Sequence, residues 1–191
     1  MGQPDVKSTK KYTYGDYLTW PEGERWEIIE GTAYMCAAPN RAHQKVSSII
    51  GGMLYVYLQD KTCEYYAAPF DVRLPKEKQN DKETENVVQP DIVVICDISK
   101  LDDKGCKGAP DFIIEILSPS SLSVDYITKL HLYEKHGVRE YWIVHPVDKV
   151  VMVYLLNKKG KYEMPVIYMQ TDKIKVSIFD ELTINLEEVF K

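Results

Sequence analysis

A single acidic residue interrupts one of the most apolar segments of the chain. Residues 111–117 read DFIIEIL, so Glu115 falls among side chains that are typical of a strand buried on both faces. An unpaired carboxylate in an apolar core is costly, and Glu115 therefore requires a cation, a hydrogen-bond donor or a bound proton. Glu115 is the first candidate for a functional residue. The alternative is a protonated or hydrogen-bonded glutamate with a structural role.

Asp91 opens the preceding apolar segment, 91–97, directly after Gln89 and Pro90. If the two segments pair as antiparallel strands, the carboxylates of Asp91 and Glu115 come close together across the pair. Two carboxylates at short range repel each other unless a divalent metal lies between them. Mg²⁺ prefers oxygen ligands and keeps several waters, so the pair predicts a Mg²⁺ site that Mn²⁺ could also occupy. The alternative is an aspartate that only caps its strand.

A lysine follows on the next predicted helix, 123–136, whose end is marked by Gly137. Lys129 and Asp125 are four residues apart and share one helical face. From there, Lys129 could reach the carboxylates and stabilise an anionic phosphorane or position a water molecule. The alternative is an ordinary surface ion pair, which contributes about a few tenths of a kcal/mol.

Other polar residues, including Gln89 beside Asp91 and Asp125 beside Lys129, could support such a site. Ser118 and Ser120 stand between the second strand and the helix, where serines usually act as N-caps, and no nucleophile-elbow pattern surrounds them. His43 begins a predicted helix and could be a metal ligand, a base or a polar cap. Glu27 and Glu30 flank a predicted hairpin turn, where an exposed acid without function is the simpler interpretation.

Apolar spacing and turn residues predict the elements that must position these side chains. Helices are expected at 14–20, 43–59, 123–136 and 186–190. Strands are expected at 63–74, 91–97, 111–117, 140–145 and 174–178, with hairpins at 26–38 and 150–167. Helices and strands in this order predict an α/β or mixed α+β fold, in which helices flank a central mixed sheet and extra β-hairpins are added.

Composition sets further limits. The 191 residues, 45% of them apolar, suffice for a single domain, which we place at 12–191 after a loose N-terminal arm at 1–11. With 24 basic and 29 acidic residues the net charge is −5, which disfavours a protein that binds phosphates non-specifically through a basic face. No apolar run approaches the roughly 20 residues of a membrane span and no signal segment opens the chain, so we expect a soluble cytoplasmic protein. The four cysteines form no CxxC pair, and free thiols are expected in a reducing cytosol.

Several motifs in combination resemble the Uma-type restriction endonuclease family, a bacterial branch of the PD-(D/E)XK nuclease superfamily. The resemblance covers residues 12–191. It rests on WEIIEG (26–31), MCAAPNRAHQ (35–44), QPDIVVI (89–95), APDFIIEILSPSS (109–121), Asp125 with Lys129, and YEKHGVREYWIVHP (133–146). The resemblance implies a restriction-endonuclease-like core with the order α-β-β-β-α-β, which agrees with the order of the predicted elements.

The resemblance also implies roles for individual residues. Asp91 and Glu115 would bind Mg²⁺, and Lys129 would supply positive charge. The sequence departs from the superfamily pattern because position 117, where ExK places its lysine, is leucine. A lysine from the following helix would replace it. The acid of the first core helix is also absent, and Glu27 or Glu30 could contribute from the preceding hairpin.

The implied function is metal-assisted hydrolysis of phosphodiester bonds, with DNA as the expected substrate. The alternative is a catalytically silent module that binds nucleic acid or protein and retains the fold. Two basic segments discriminate between them, one containing Lys7, Lys10 and Lys11 and the other containing Lys158, Lys159 and Lys161. On the rim of the Asp91/Glu115 cleft they would favour the nuclease, and on the opposite side they would favour the binding module. A homodimer formed by tyrosine-rich edge strands is compatible with both.

Overall fold

The computed structural model describes residues 10–76, 78–118 and 124–191, apart from the side chains of residues 124–126. The helices are α1 (Tyr14–Tyr17), α2 (Arg41–Leu58), α3 (Leu130–His136) and α4 (Leu186–Val189), and a π-helical segment, Val124–Lys129, leads into α3. The strands are β1 (Trp26–Ile29), β2 (Thr32–Met35), β3 (Glu64–Ala67), β4 (Val72–Arg73), β5 (Val87–Val88), β6 (Ile92–Ile95), β7 (Leu101–Asp102), β8 (Gly105–Lys107), β9 (Phe112–Ile116), β10 (Glu140–His145), β11 (Val150–Leu155), β12 (Val166–Met169), β13 (Lys173–Lys175) and β14 (Thr183–Asn185).

A six-stranded sheet, the central sheet, has the order β12-β11-β10-β9-β6-β3. Strands β9 and β10 are parallel and are joined by the crossover that contains Lys129, while the other neighbours are antiparallel. The two strands that carry the candidate acids pair antiparallel, with Ile92 opposite Ile114 and Val93 opposite Ile113. The predicted mixed sheet with flanking helices is therefore confirmed. Strands β6 and β9 are apolar on both faces because both faces of the sheet are covered.

One face of the central sheet is covered by helices. The apolar stripe of α2, formed by Val46, Ile50 and Leu54, packs with α4 and the β13–β14 hairpin against alternate side chains of the sheet. Trp142 of β10 lies in this core and is fully buried. The predicted helix at 43–59 thus exists as α2, and its burial follows the helical spacing seen in the sequence.

The other face is covered by a second six-stranded sheet, of order β2-β1-β5-β4-β8-β7, together with α3. The sequence predicted one strand at 63–74, and the structure corrects this. The segment divides into β3, which belongs to the central sheet, and β4, which belongs to the second sheet. Pro69 lies between them and has no N–H to donate to a strand ladder, so the chain leaves one sheet there and enters the other.

Local signals account for several element ends. Thr13 forms a capping box with Asp16 at the start of α1, and α1 ends earlier than predicted. Gly137 has φ 84° and ends α3 in the left-handed region that suits glycine. In the hairpin predicted at 150–167, the second strand, β12, begins only at Val166. Residues 1–9 of the predicted N-terminal arm at 1–11 lie outside the described residues. The assignment of residues 12–191 to a single domain stays a prediction.

The expectation of four free thiols is wrong for two cysteines. Cys63 and Cys96 form a disulfide, because they flank β3 and β6 at opposing positions just beyond the Glu64–Ile95 pair. Cys36 and Cys106 are free. In the ranges that the structure describes, no helix has the length and apolar character required to cross a membrane.

Candidate functional site

The candidate acids and Lys129 meet where the two sheets face each other at one end. Asp91 immediately precedes β6, and Glu115 is the penultimate residue of β9. The antiparallel register, continued by one residue beyond the Ile92–Ile114 pair, places Asp91 opposite Glu115. Their predicted proximity across the strand pair is therefore present in the fold.

Lys129 forms ion pairs with two buried glutamates. Its Nζ atom lies 3.0 Å from Oε1 of Glu115 and 2.9 Å from Oε1 of Glu27. The three residues are only 3–5% exposed. The cation that Glu115 required is thus supplied by the crossover after β9, and a second carboxylate is added from β1. Glu27 faces this interior because alternate β1 residues point to opposite sides of the strand.

Tyr133 adds a hydrogen bond to the same carboxylate. Its hydroxyl donates to Oε1 of Glu115 at 2.6 Å. Burial, reinforced by the nearby carboxylate, raises the pKa of Tyr133 well above its usual range, so the hydroxyl remains a donor. This role of Tyr133 was not predicted from the sequence. The signal was its spacing, since Tyr133 follows Lys129 by four residues and shares its helical face.

Asp91 is held by a backbone amide and by His43. Its Oδ2 atom accepts a hydrogen bond of 2.7 Å from the amide of Ile116 and lies 3.0 Å from Nε2 of His43. His43 stands in the first turn of α2, where Asn40 caps its amide. The residue is 7% exposed, and its Nδ1 atom is buried with no hydrogen-bond partner among the residues that the structure describes. The structure therefore brings the predicted supporting residue His43 to Asp91.

Gln89 connects the carboxylates to a second polar cluster. Its backbone amide donates to Oε1 of Glu27 at 2.7 Å, and its side-chain amide donates to Asp71 and to the Tyr17 hydroxyl. The side-chain oxygen of Gln89 accepts from Arg25 at 3.0 Å. Gln89 was predicted as a supporting residue, but its three side-chain partners, Asp71, Tyr17 and Arg25, were not predicted. They lie in three separate segments of the chain, and no local pattern indicated that they would meet.

Of the remaining candidates, Glu30 is not brought into this cluster. Glu30 lies in the β1–β2 turn at the other end of its strand, where its side chain is 70% exposed and 3.6 Å from Lys135. Ser118 follows β9 and is half-buried. Ser120 lies outside the described residues, and the structure describes no side chain for Asp125.

The donor set suits a magnesium ion. Within the described parts of the chain, no three or more His, Cys, Asp or Glu side chains form a group that could hold a metal by themselves. Mg²⁺ is usually bound through one or two carboxylates, with waters and a substrate phosphate completing its shell. Asp91 and Glu115 meet that requirement. Formally, three carboxylates and Lys129 leave a charge of −2 at the site when His43 is neutral, and a divalent cation would balance it.

The pKa of the Cys36 thiol responds to the charges of the site. Burial, together with the carboxylate of Glu27, raises the pKa of the Cys36 thiol to about 12. The thiol is therefore protonated at neutral pH and is a weak nucleophile.

The basic segments lie away from this site. The amide of Tyr12 donates a hydrogen bond to the carbonyl of Gly31, in the turn between β1 and β2. Lys11 therefore lies next to this turn, at the end of β1 that is opposite to Trp26. Lys161 pairs with Glu134, close to the C-terminal end of α3. Both described segments are therefore at the opposite end of the sheets from Asp91, and Lys7 is outside the described residues.

Comparisons with known proteins agree with the fold. A family model described as "Uma2: Putative restriction endonuclease" matches residues 14–187. The crystal structure of a putative nuclease belonging to DUF820 from Anabaena variabilis superposes with a TM-score of 0.75 at 20% identity, covering 93% of this chain and 97% of that chain. An uncharacterized protein of Synechocystis, slr1290, is 23% identical over 164 residues, which cover 84% of this chain and 82% of that protein.

Proposed function

The chain belongs to the Uma2 family, and from this premise we propose that it is a metal-dependent nuclease that hydrolyses phosphodiester bonds in DNA. The observation that carries the proposal is the buried pairing of Lys129 with Glu115 and Glu27 beside Asp91. A buried ion pair contributes little net stability compared with apolar packing. This arrangement is better explained by chemistry that needs acids and a cation together.

Asp91 and Glu115 would hold Mg²⁺, with Mn²⁺ as a substitute. The bound ion would polarise the scissile phosphate and lower the pKa of a coordinated water. His43 and the amide of Ile116 fix the orientation of the Asp91 carboxylate. Tyr133 and Lys129 do the same for Glu115.

Lys129 would provide the positive charge that the missing lysine at position 117 cannot supply. Its Nζ atom is anchored between two carboxylates, so its position is restricted before substrate binds. A positioned cation stabilises the negative charge that develops on the phosphate in the transition state and needs no reorganisation to do so. Glu27 serves as a second anchor and takes the place of the acid that the first core helix lacks.

The test combines metal binding with cleavage. Mg²⁺ and Mn²⁺ titrations by calorimetry on the wild type and on Asp91→Ala should show binding that the variant loses. Cleavage of double- and single-stranded DNA should be lost in the same variant. Glu30→Gln is the matched control, because Glu30 is an exposed acid at the other end of β1, and it should bind and cleave as the wild type does. A wild-type protein that binds neither ion and cleaves no nucleic acid would refute the proposal.

A second candidate function is a catalytically silent module that binds nucleic acid or protein. The position of Lys11 and Lys161 at the opposite end of the sheets favours it, because those segments cannot line the carboxylate site. In that case, binding would be lost on replacing these lysines and would not respond to Asp91→Ala.

We also propose that the protein is a cytoplasmic homodimer. Strands β12 and β3 are the edges of the central sheet, and both contain tyrosine. In β12, Val166, Ile167 and Met169 are 50–58% exposed. An uncovered apolar edge strand can pair with its own copy about a twofold axis. Light scattering should give twice the chain mass, and Ile167→Lys should give the mass of one chain.

A further inference from the structure

A cavity opens next to the carboxylate site, on the side of Gln89. It encloses about 470 Å³. Its walls include Tyr66 of β3 and Phe70, which follows that strand, together with Asp71, Gln89 and Tyr17. Gln89 links the cavity to the carboxylate site, because its backbone amide donates a hydrogen bond to Glu27 and its side-chain amide donates one to Asp71. The same segment is tied to Asp91, whose carbonyl accepts the amide of Ala68 at 3.1 Å.

An aromatic pair forms one wall of the cavity. The rings of Tyr66 and Phe70 are stacked with centroids 4.2 Å apart and planes 11° from parallel. Both residues are half-buried and line the open space. A flat aromatic surface of this kind accepts a further planar ring by stacking.

The polar wall of the cavity presents a hydrogen-bond acceptor, the carboxylate of Asp71. Oδ1 of Asp71 accepts hydrogen bonds from Gln89 at 2.8 Å and from Tyr17 at 3.1 Å. Oδ2 has no hydrogen-bond partner within the described ranges, so it can accept from a ligand. Asp102 and Asp103 also line the cavity together with Lys104, and Asp102 is paired with the buried Arg73 at 2.6 Å, so Asp71 and Asp103 still outnumber the one lining cation. This excess of negative charge disfavours a phosphate group and favours an uncharged group that donates hydrogen bonds.

We propose that this cavity binds one unpaired nucleobase that carries an exocyclic amino group. The base would stack on the Tyr66–Phe70 pair and donate its amino hydrogen to Oδ2 of Asp71. Thymine and uracil fit less well, because their carbonyl oxygens on either side of N3 would face the carboxylate. The inference rests on the proposed function, since the strand that supplies the base would continue to the neighbouring site at Asp91.

The test measures binding without cleavage. Fluorescence anisotropy in the presence of EDTA is recorded for short single-stranded oligonucleotides of dC, dA and dT, with dCMP as a free competitor. The wild type should bind oligo-dC and oligo-dA more tightly than oligo-dT. Free dCMP should compete weakly, which separates a base in a strand from a free nucleotide. Equal affinity for the three oligonucleotides, no binding, or displacement by dCMP as readily as by oligo-dC would overturn the proposal.

Variants locate the binding to the cavity. Phe70→Leu keeps an apolar side chain and removes the aromatic face, so the affinity for oligo-dC should fall roughly 5- to 100-fold, as for the loss of one stacked base. Tyr55→Ala is the control, because Tyr55 is an aromatic residue of α2 that is 61% exposed and away from the cavity. Thermal unfolding followed by circular dichroism verifies that each variant is folded. Unchanged affinity in a folded Phe70→Leu protein would overturn the proposal.

Asp71→Asn tests the polar wall separately. The asparagine oxygen can still accept from Gln89 and Tyr17, and its amide then faces the cavity as a donor. The preference for oligo-dC over oligo-dT should disappear or reverse, and an unchanged preference would refute the role of Asp71.

The two proposals can fail independently. If the wild type cleaves DNA but Phe70→Leu and Asp71→Asn bind as the wild type does, the nuclease stands and the base pocket is refuted. If both variants change binding as expected but no metal supports cleavage, the pocket stands and the nuclease is refuted.

Discussion

Replacing Lys129 with methionine removes the charge that Glu27 and Glu115 share. Methionine has a similar length and is apolar, so the change leaves two nearly buried carboxylates without this cation. Breaking a buried ion pair by deleting one partner typically costs about 3–5 kcal/mol of unfolding free energy. For a chain of 191 residues, this corresponds to a fall in the melting temperature of about 6–20 °C.

The assay is urea and thermal unfolding followed by circular dichroism. Lys135→Met is the matched control on the same helical segment, because Lys135 is 57% exposed in its side chain and lies 3.6 Å from the exposed Glu30. An exposed pair contributes about 1 kcal/mol or less, so the control should unfold almost as the wild type does. Adding Glu115→Gln to Lys129→Met removes one of the uncompensated charges and should recover part of the loss.

Unfolding of Lys129→Met within about 1 kcal/mol of the wild type would contradict this prediction, since the buried pair then lacks the expected strength. The prediction is also refuted if the control loses as much stability as Lys129→Met. In that case, any loss of lysine from the helix would produce the effect.

Three further predictions follow from the same geometry. Glu115→Gln keeps an oxygen that can accept from Lys129 and Tyr133, so it should unfold within about 1 kcal/mol of the wild type while its Mg²⁺ affinity in calorimetry falls at least tenfold. The reverse pattern, an unstable protein that binds metal normally, would contradict this. Because the pKa of Cys36 is raised to about 12, its alkylation by iodoacetamide near pH 8 should be roughly 10²- to 10³-fold slower than that of a free peptide thiol, and Glu27→Gln should accelerate it. Mass spectrometry of the Cys36 peptide measures both rates, and alkylation at the free-thiol rate would contradict the prediction. Burial raises the pKa of Asp71 above its ordinary value, so its folded state binds a proton more tightly than its unfolded state. The unfolding free energy of the wild type relative to Asp71→Asn should therefore decrease as the pH rises from the ordinary carboxyl range through the raised pKa of Asp71. Urea unfolding at several pH values across that range measures this difference. A difference that stays constant or increases with pH would contradict the prediction.

Local patterns were sufficient to predict the central sheet and its two acids. The strands around Asp91 and Glu115 carry apolar residues on both faces, and the expectation of antiparallel pairing follows from their short connection. The resemblance to a nuclease family supported the same order of elements. A buried carboxylate demands a cation and the following helix offers Lys129, but the residues alone left an ordinary surface ion pair equally open, and the family resemblance favoured the pairing with Glu115.

The partners of the acids were harder to predict. Glu27 appeared to be an ordinary turn-flanking acid, although its strand alternation placed it inward. Asp71 and Arg25 meet Gln89 across separations of 18 and 64 residues. No local periodicity encodes contacts over such distances. The disulfide between Cys63 and Cys96 likewise depends on the register of β3 against β6.

By itself, the sequence determined which segments are buried and which polar residues cannot be buried alone, because burial and desolvation act on each residue through its near neighbours. It therefore indicated Glu115 as a candidate site residue, with Asp91 as its neighbour across the strand pair, and the family resemblance added weight to Lys129. Only the tertiary structure decided which groups satisfy them. The second sheet brings Glu27 and Gln89 over the central sheet, and the first turn of α2 brings His43 to Asp91. The same packing places Lys11 and Lys161 at the opposite end of the sheets from Asp91. These positions depend on how two sheets stack, and stacking is set by the sum of contacts across the whole core rather than by any single segment.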